Sequence, residues 1–420
     1  MYDIISNEIA PGVRFSKVRV DRFKNIRICV TALLPLERET VSSYALLSQV
    51  LTRSCEAYPD FTLLSKKLSS LYGASLEGGI RKMGESIGIS FNVTGIDDRY
   101  AIKGESVAGE LSELLCKIIF EPKLVDENFD KEEIEQERRQ LIDLCDAELS
   151  DKRVYAGNRL LEVMCEHEAF GIRRYGDREH ISAVTPEMLK NAWETMIKTA
   201  QFEIFYTGDS DPDTAVRVFT EKFMNVEREV CTLHTEIVRK ADKVREVTDI
   251  MEVSQAKLLM GFRTDCASGE PDVTAMRLMC AILGSGANSK FFKNIREAQS
   301  LCYYCFSRFH RAKGIITVES GVEFENIEKT KNAVLNELKA MQTGDISEDE
   351  INFAKLSVAN DFVALTDVLS GIAEWYLSQL GDERFLTVEE AIADFSKVTK
   401  EELVACANKL TLDTVYVLRG

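Results

Sequence analysis

Four histidines, at 167, 180, 234 and 310, are the chain's whole supply of imidazole. No two stand three or four residues apart, the spacing that puts a pair of metal ligands on one helical face. His167 adjoins Glu168 and Glu179 adjoins His180, but sequence neighbours point to different faces of a helix. A packing or capping role in a turn is the ordinary meaning of His167. There is no G-x-S-x-G nucleophile elbow and no phosphate-cradling P-loop.

The other candidates for chemistry are 11 cysteines. Their number is odd and their spacing follows no disulfide framework, which reads as free thiols in a reducing compartment. One pair, Cys302 and Cys305, has C-x-x-C spacing within Leu301-Cys-Tyr-Tyr-Cys-Phe. A single such pair is thin evidence for zinc or redox work. In an aromatic run that reads as a strand, half-buried strand cysteines are the plainer meaning. A cysteine nucleophile would also need a histidine and an orienting group beside it, which spacing alone does not supply.

The 420 residues exceed one ordinary core, so two domains of about 200 residues are expected. The net charge of −17 comes without a dense Lys/Arg cluster, which argues against duplex nucleic acid as a partner. The acidity reads as a solvated surface, with basic peptides a minor expectation. No apolar run approaches the ~20 residues of a membrane helix. The acidic start of the chain does not read as a signal peptide, so a cytoplasmic protein without a membrane role is expected.

Residue periodicity places the elements. Strands are expected over 15–36, broken near Phe23-Lys-Asn, and helices over 40–53 and 60–71, the latter with Asp60 as N-cap. Residues 85–95 alternate, with Ile87, Ile89, Phe91 and Val93 on one face and Gly88, Ser90, Asn92 and Thr94 on the other: a half-solvated strand. Helices follow over 104–120, 131–149 and 155–165, then a strand over 202–207. The second half repeats this order: a strand at 257–263, helices at 272–283 and 289–296, strands at 301–309 and 314–321, helices at 325–342, 347–366 and 400–409, and a strand at 414–418.

Letters repeat as well. Ile181-Ser-Ala-Val-Thr-Pro-Glu-Met-Leu precedes a helix and a strand ending at Gly208, and Phe395-Ser-Lys-Val-Thr-Lys-Glu-Glu-Leu precedes a helix and a strand ending at Gly420. Duplication explains the shared order better than chance. The expected domains are 1–228 and 251–420, joined by a charged linker at 229–250. The class is α+β with mostly antiparallel sheets.

Three segments in order resemble the M16 (pitrilysin, or insulinase) metallopeptidases. They are Phe129-Asp-Lys-Glu-Glu-Ile-Glu-Gln-Glu-Arg, the stretch His167 to Leu189, and Ile282-Leu-Gly-Ser-Gly-Ala-Asn-Ser-Lys-Phe-Phe-Lys-Asn-Ile-Arg-Glu-Ala-Gln-Ser-Leu-Cys-Tyr. The resemblance implies two homologous domains, each a sheet with helices on one face (LuxS/mitochondrial-processing-peptidase-like), in a clamshell that holds peptide.

The family's zinc motif, H-x-x-E-H, is absent. There the two histidines bind zinc and the glutamate polarises the attacking water. Alignment on Ser43-Tyr-Ala-Leu-Leu-Ser-Gln-Val-Leu puts Ala45, Ser48 and Gln49 at the His, Glu and His positions. The third ligand falls near Asp143 or Leu144. Alanine cannot ligate, serine is no adequate base, and glutamine is at best a weak neutral donor.

Arg296 and Tyr303 stand where the resemblance implies an Arg/Tyr pair that reaches a substrate carbonyl and the tetrahedral oxyanion. A fixed cation and a phenol donor suit developing negative charge. Tyr304 adjoins, and one residue of slip would exchange the role; an Arg296 paired to a nearby acid and a packed Tyr303 is the bland alternative. Gly284-Ser-Gly reads as a helix-ending turn, or as a family loop that helps capture substrate.

Zinc residues lost and Arg/Tyr kept resemble the inactive partner of bacterial two-chain M16 proteases. That implies no metal in this chain, a heterodimer with a zinc-bearing paralogue or self-association, and an extended peptide as ligand. Residues 74–80 are the candidate sheet edge for that peptide. The alternatives are a peptide-binding or scaffold protein without proteolytic role, and a metallopeptidase with an unorthodox site.

Overall fold

The computed structural model describes residues 4–382 and 384–420. In chain order its first half contains β1 (Ile4–Ala10), β2 (Val13–Arg19), β3 (Asn25–Pro35), α1 (Val41–Val50), α2 (Phe61–Ser70), β4 (Ser75–Met83), β5 (Ser86–Ile96) and α3 (Val107–Phe120). A short ladder, β6 (Leu124–Val125) with β7 (Asn128–Phe129), leads to α4 (Lys131–Ser150) and α5 (Lys152–Met164). Then come α6 (Arg178–Ala183), α7 (Pro186–Thr199), β8 (Gln201–Gly208) and α8 (Asp213–Met224). The second half holds β9 (Arg245–Ile250), β10 (Ala256–Arg263), α9 (Val273–Gly284), β11 (Cys302–His310), β12 (Ile315–Val322), α10 (Ile327–Gln342), α11 (Glu348–Leu365), α12 (Leu369–Leu377), α13 (Val388–Lys397), α14 (Lys400–Lys409) and β13 (Thr411–Arg419).

The two large sheets have one topology. The first runs β1-β2-β8-β3-β5-β4 and the second β11-β12-β10-β13-β9. Read from the hairpin edge, β4-β5-β3-β8-β2 matches β11-β12-β10-β13-β9 strand for strand. The single parallel pair of each sheet, β2 with β8 and β9 with β13, falls at the same place. Helices match in order too, and the repeated Val-Thr segments start equivalent ones. Thr185 caps α7 by accepting from the Met188 amide, and Thr399 caps α14 in a box with Glu402. Leu189, Ala192, Met196 and Ile197 of α7 then bury one stripe at helical spacing. The chain is an internal duplication of an α+β unit.

The units are not contiguous in sequence. The first comprises residues up to 146, 172–234 and 367–377; the second comprises 147–171, 235–366 and 378–420. The contiguous division at 228–251 omits both exchanged segments, and its linker includes β9, which pairs with β13. Only Val247 and its alternates turn inward in that strand, and its charged residues hide it. In the second unit α5 lies on β10 and β13, and Ala156 and Leu160 join Leu259, Tyr416 and Leu418 in a core cluster. In the first unit α12 lies on β3 and β8, with Trp375, Tyr376 and Leu377 buried and Tyr376 stacked on Phe205 at 6.3 Å. The β5 face expected to be half-solvated is partly covered: Gly88 lies against Thr31, Leu33 and Arg81, Ser90 meets Thr31, and both are buried alongside Ile87, Ile89, Phe91 and Val93. Among the described residues no single helix is long and apolar enough to cross a membrane.

Candidate functional site

The helix expected to carry the metal motif forms, and it is closed. Ala45 and Ser48 of α1 are 1% and 0% exposed. The Ser48 hydroxyl donates to the Ala45 carbonyl at 2.8 Å, one turn back along its own helix. Gln49 gives its amide N–H to the Ser48 Oγ and to the Gly78 carbonyl of β4, both at 3.2 Å. A Cβ on Gly78 would stand 1.9 Å from the Ser48 carbonyl oxygen, so only glycine allows β4 this close to α1.

Asp143 and Leu144 lie on the exposed side of α4. The acids that α4 brings to the turn after α1 are instead Glu133 and Glu137. Glu137 accepts from the Arg53 guanidinium at 2.5 Å, and Glu133 accepts from the Ser54 hydroxyl at 2.8 Å and from Lys123 at 3.3 Å. A polar cleft of about 500 Å³ opens beside them, lined by Arg53, Phe61, Lys66, Lys123 and Asp130 among others. This donor set does not fit zinc: one methyl, one hydroxyl committed to the backbone, one amide committed to β4, and two carboxylates already matched by cations. No group of three or more His, Cys, Asp or Glu side chains is arranged to hold a metal among the described residues.

The histidines are dispersed. His167 is exposed, and His180 sits 2.7 Å from the Asp177 carboxylate that caps α6. His310 meets Thr317 at 3.2 Å. The informative neighbour of His167 is Glu168, which sequence reasoning passed over. It accepts two hydrogen bonds from Arg263, at 2.6 and 3.0 Å, and an ion pair from Lys313 at 2.6 Å. Burial raises its carboxyl, but those hydrogen bonds outweigh burial and hold it below the usual range.

Arg296 and Tyr303 come from two elements packed on each other in the second unit. Residues 291–297 form a π-helical turn instead of the short α-helix expected there. Its exit bends through Ser300, a non-glycine residue at φ +50°. Arg296 emerges half-exposed, its guanidinium 4.6 Å from the Phe292 ring centroid and 3.7 Å from the Glu297 carboxylate. The neighbouring-acid expectation for Arg296 is thus met only by a long, exposed pair, which binds weakly. Tyr303 is 53% exposed and donates its phenol to Glu323 just after β12, which raises the phenol's pKa.

Tyr304 has a different setting. Its ring lies over Gly321, with the Arg153 and Lys257 cations 5.1 and 5.7 Å from the centroid. Burial pushes its phenol up to about 12. Of the two tyrosines, Tyr303 is the exposed one. Gly284 ends α9 buried, where a Cβ would meet the Ser307 amide at 2.4 Å. It serves helix–strand packing, and the left-handed glycine of that turn is Gly286.

Comparison with known proteins places this geometry. Residues 183–358 match the family model described as the Peptidase M16 inactive domain. A Bacillus subtilis protein described as a probable inactive metalloprotease, YmfF, is 28% identical over 409 residues, covering 97% of this chain and 96% of that one. A conserved protein from Enterococcus faecalis V583 superposes at a TM-score of 0.92 with 27% identity, over 99% of this chain and 98% of that chain. The fold is shared with a peptidase M16 inactive domain from Pseudomonas fluorescens, at a TM-score of 0.79 and 16% identity over 99% and 98% of the two chains. With no ligand set on α1, the chain is similar along its whole length to M16-like proteins described as inactive.

Proposed function

We propose that this chain is a non-catalytic subunit that binds extended peptide and completes the active site of a zinc-bearing M16 paralogue in a heterodimer. The subunit itself works without a metal, in the cytoplasm. The observation that carries the reading is the contrast between two clusters. The α1 positions are buried and satisfied, whereas Arg296 and Tyr303 stand half-exposed on a π-turn and a strand that pack on each other. A guanidinium and a phenol so placed suit the carbonyl oxygen of a peptide as it gains negative charge. The peptide itself adds as a strand to β4, the edge of its sheet, where Gln49 already reaches the strand backbone.

One observation favours the binding-only alternative: the Tyr303 proton is already given to Glu323. In the proposed role a substrate oxyanion takes that proton's hydrogen bond from Glu323 in the assembled site. The test mixes the purified chain with a paralogue from the same genome that carries an intact H-x-x-E-H, and follows hydrolysis of a quenched fluorogenic peptide. The expected result is a stable complex whose turnover exceeds that of the paralogue alone by about a hundredfold, the scale of one missing oxyanion donor. Peptide binding without any stimulation would establish the binding-only role instead.

A further inference from the structure

The C-x-x-C pair is not used by the function proposed above, and the sheet gives it a geometry that a regular strand would not. Residues three apart on an extended strand point to opposite faces. Along β11 the register with β12 shifts by one residue: Cys302 faces Val322, Tyr304 faces Gly321 and Cys305 faces Ser320. Val322 and Ser320 are two apart on an unbroken strand and share a face, so the cysteines opposite them share it too. The supernumerary residue is Tyr303, which the bulge turns outward to 53% exposure. On that shared face each thiol shifts the ionisation of the other, Cys302 downward and Cys305 upward. Cys305 is buried and Cys302 is part-exposed.

We propose that Cys302 and Cys305 form a reversible disulfide when the protein meets a hydroperoxide. Cys302 is the attacking sulfur. It is the more exposed of the two, and the neighbouring Cys305 thiol and the Arg296 cation favour its thiolate over the opposing effect of burial. Burial pushes seven other thiols of the chain the opposite way, Cys29, Cys116 and Cys280 among them. The Cys302 thiolate attacks the terminal oxygen of the hydroperoxide; the O–O bond breaks, the alcohol or water leaves with a proton, and Cys302 becomes a sulfenic acid. The Cys305 sulfur then attacks the Cys302 sulfur, an S–S bond forms, the S–O bond breaks, and water departs with the Cys305 proton. Two electrons pass from the thiol pair to the peroxide. This chemistry needs no partner subunit and stands apart from the peptidase reading.

The full-length protein is treated with hydrogen peroxide, alkylated with iodoacetamide and digested with trypsin. Cleavage after Arg296 and Arg308 releases one peptide, residues 297–308, that holds both cysteines and no other. The expected result is that this peptide is lighter by two hydrogens and loses both alkylation sites together, that 2 of the 11 free thiols vanish, and that dithiothreitol restores them. In Cys305→Ser the same treatment leaves a Cys302 sulfenic acid that dimedone traps. The proposal is overturned if both cysteines of the wild-type peptide stay alkylatable under peroxide that oxidises other thiols. It is equally overturned if dimedone labels wild-type Cys302 as fully as it labels the variant.

Discussion

Replacing Arg263 with alanine is expected to cost the protein about 3–5 kcal/mol, the scale of breaking a buried ion pair from one side. For a unit of this size that is a fall of about 10 °C in the melting midpoint. The side chain is 1% exposed and makes four charge-assisted or backbone contacts: Asp413 at 2.8 Å, two Glu168 oxygens at 2.6 and 3.0 Å, and the Met164 carbonyl at 2.9 Å. Its removal leaves two nearly buried carboxylates short of hydrogen bonds. Lys313, fully buried, still holds Glu168 at 2.6 Å but cannot reach the fork of contacts a guanidinium makes.

The effect has a pH signature. Glu168 ionises below its ordinary value in the folded protein, so it contributes stability above the unfolded pKa of about 4.3 and loses it as pH falls through the folded value. In Arg263→Ala burial acts on that carboxyl with less opposition, so the gap between wild type and variant narrows as the buffer is taken below about pH 4. Arg239→Ala is the control. It removes ion pairs to Asp265 and Glu270 of similar length from a side chain 54% exposed, and a far smaller loss than in Arg263→Ala is expected. An equal loss in the two variants would contradict this description of the network.

Restoring the family's motif is expected to harm the protein without giving it a metal. In Ala45→His/Ser48→Glu/Gln49→His three larger polar groups enter a helix whose first two positions are closed to solvent. The new carboxylate at 48 would be buried where the Ser48 hydroxyl meets the Ala45 carbonyl and the Gln49 amide, with its charge unpaired. A destabilisation of about 3–5 kcal/mol follows from burying such a group. The nearest acid of α4, Glu137, is matched by Arg53, so no third ligand is waiting. Elemental analysis of the purified triple variant should find well under one zinc per chain after dialysis; stoichiometric zinc at wild-type stability would show that the site is only lightly disabled.

Much of the fold was legible in letters because its signals are local. The alternation of β5 and the Val-Thr cap before α7 and α14 each depend on residues a few positions apart. What stayed hidden depends on long-range packing. α12 reads as a weak apolar run until β3 and β8 take it as cover, and β9 reads as a charged linker until β13 pairs with it. The bulge at Tyr303 and the π-turn before it leave no periodic trace, yet they decide which tyrosine reaches solvent and which thiols meet.

At the degenerate zinc positions the chemistry of Ala45, Ser48 and Gln49 was plain from residue type alone. Their partners were not. That α4 turns Glu133 and Glu137 to the turn after α1, and Leu144 outward, follows from helix phase and a loop of unguessable length, not from counting residues to a third ligand. Glu168 was masked in the same way: its role depends on Arg263 and Lys313, 95 residues and more away along the chain.

The decisive measurement is turnover by the assembled pair of chains when Arg296→Ala and Tyr303→Phe are introduced here and the zinc-bearing subunit is left intact. A guanidinium and a phenol that act on the reacting carbonyl should take with them at least about a hundredfold in kcat, while the complex still elutes as one species and still binds peptide. Undiminished hydrolysis by that mixture would mean that these two side chains do nothing for the partner's chemistry.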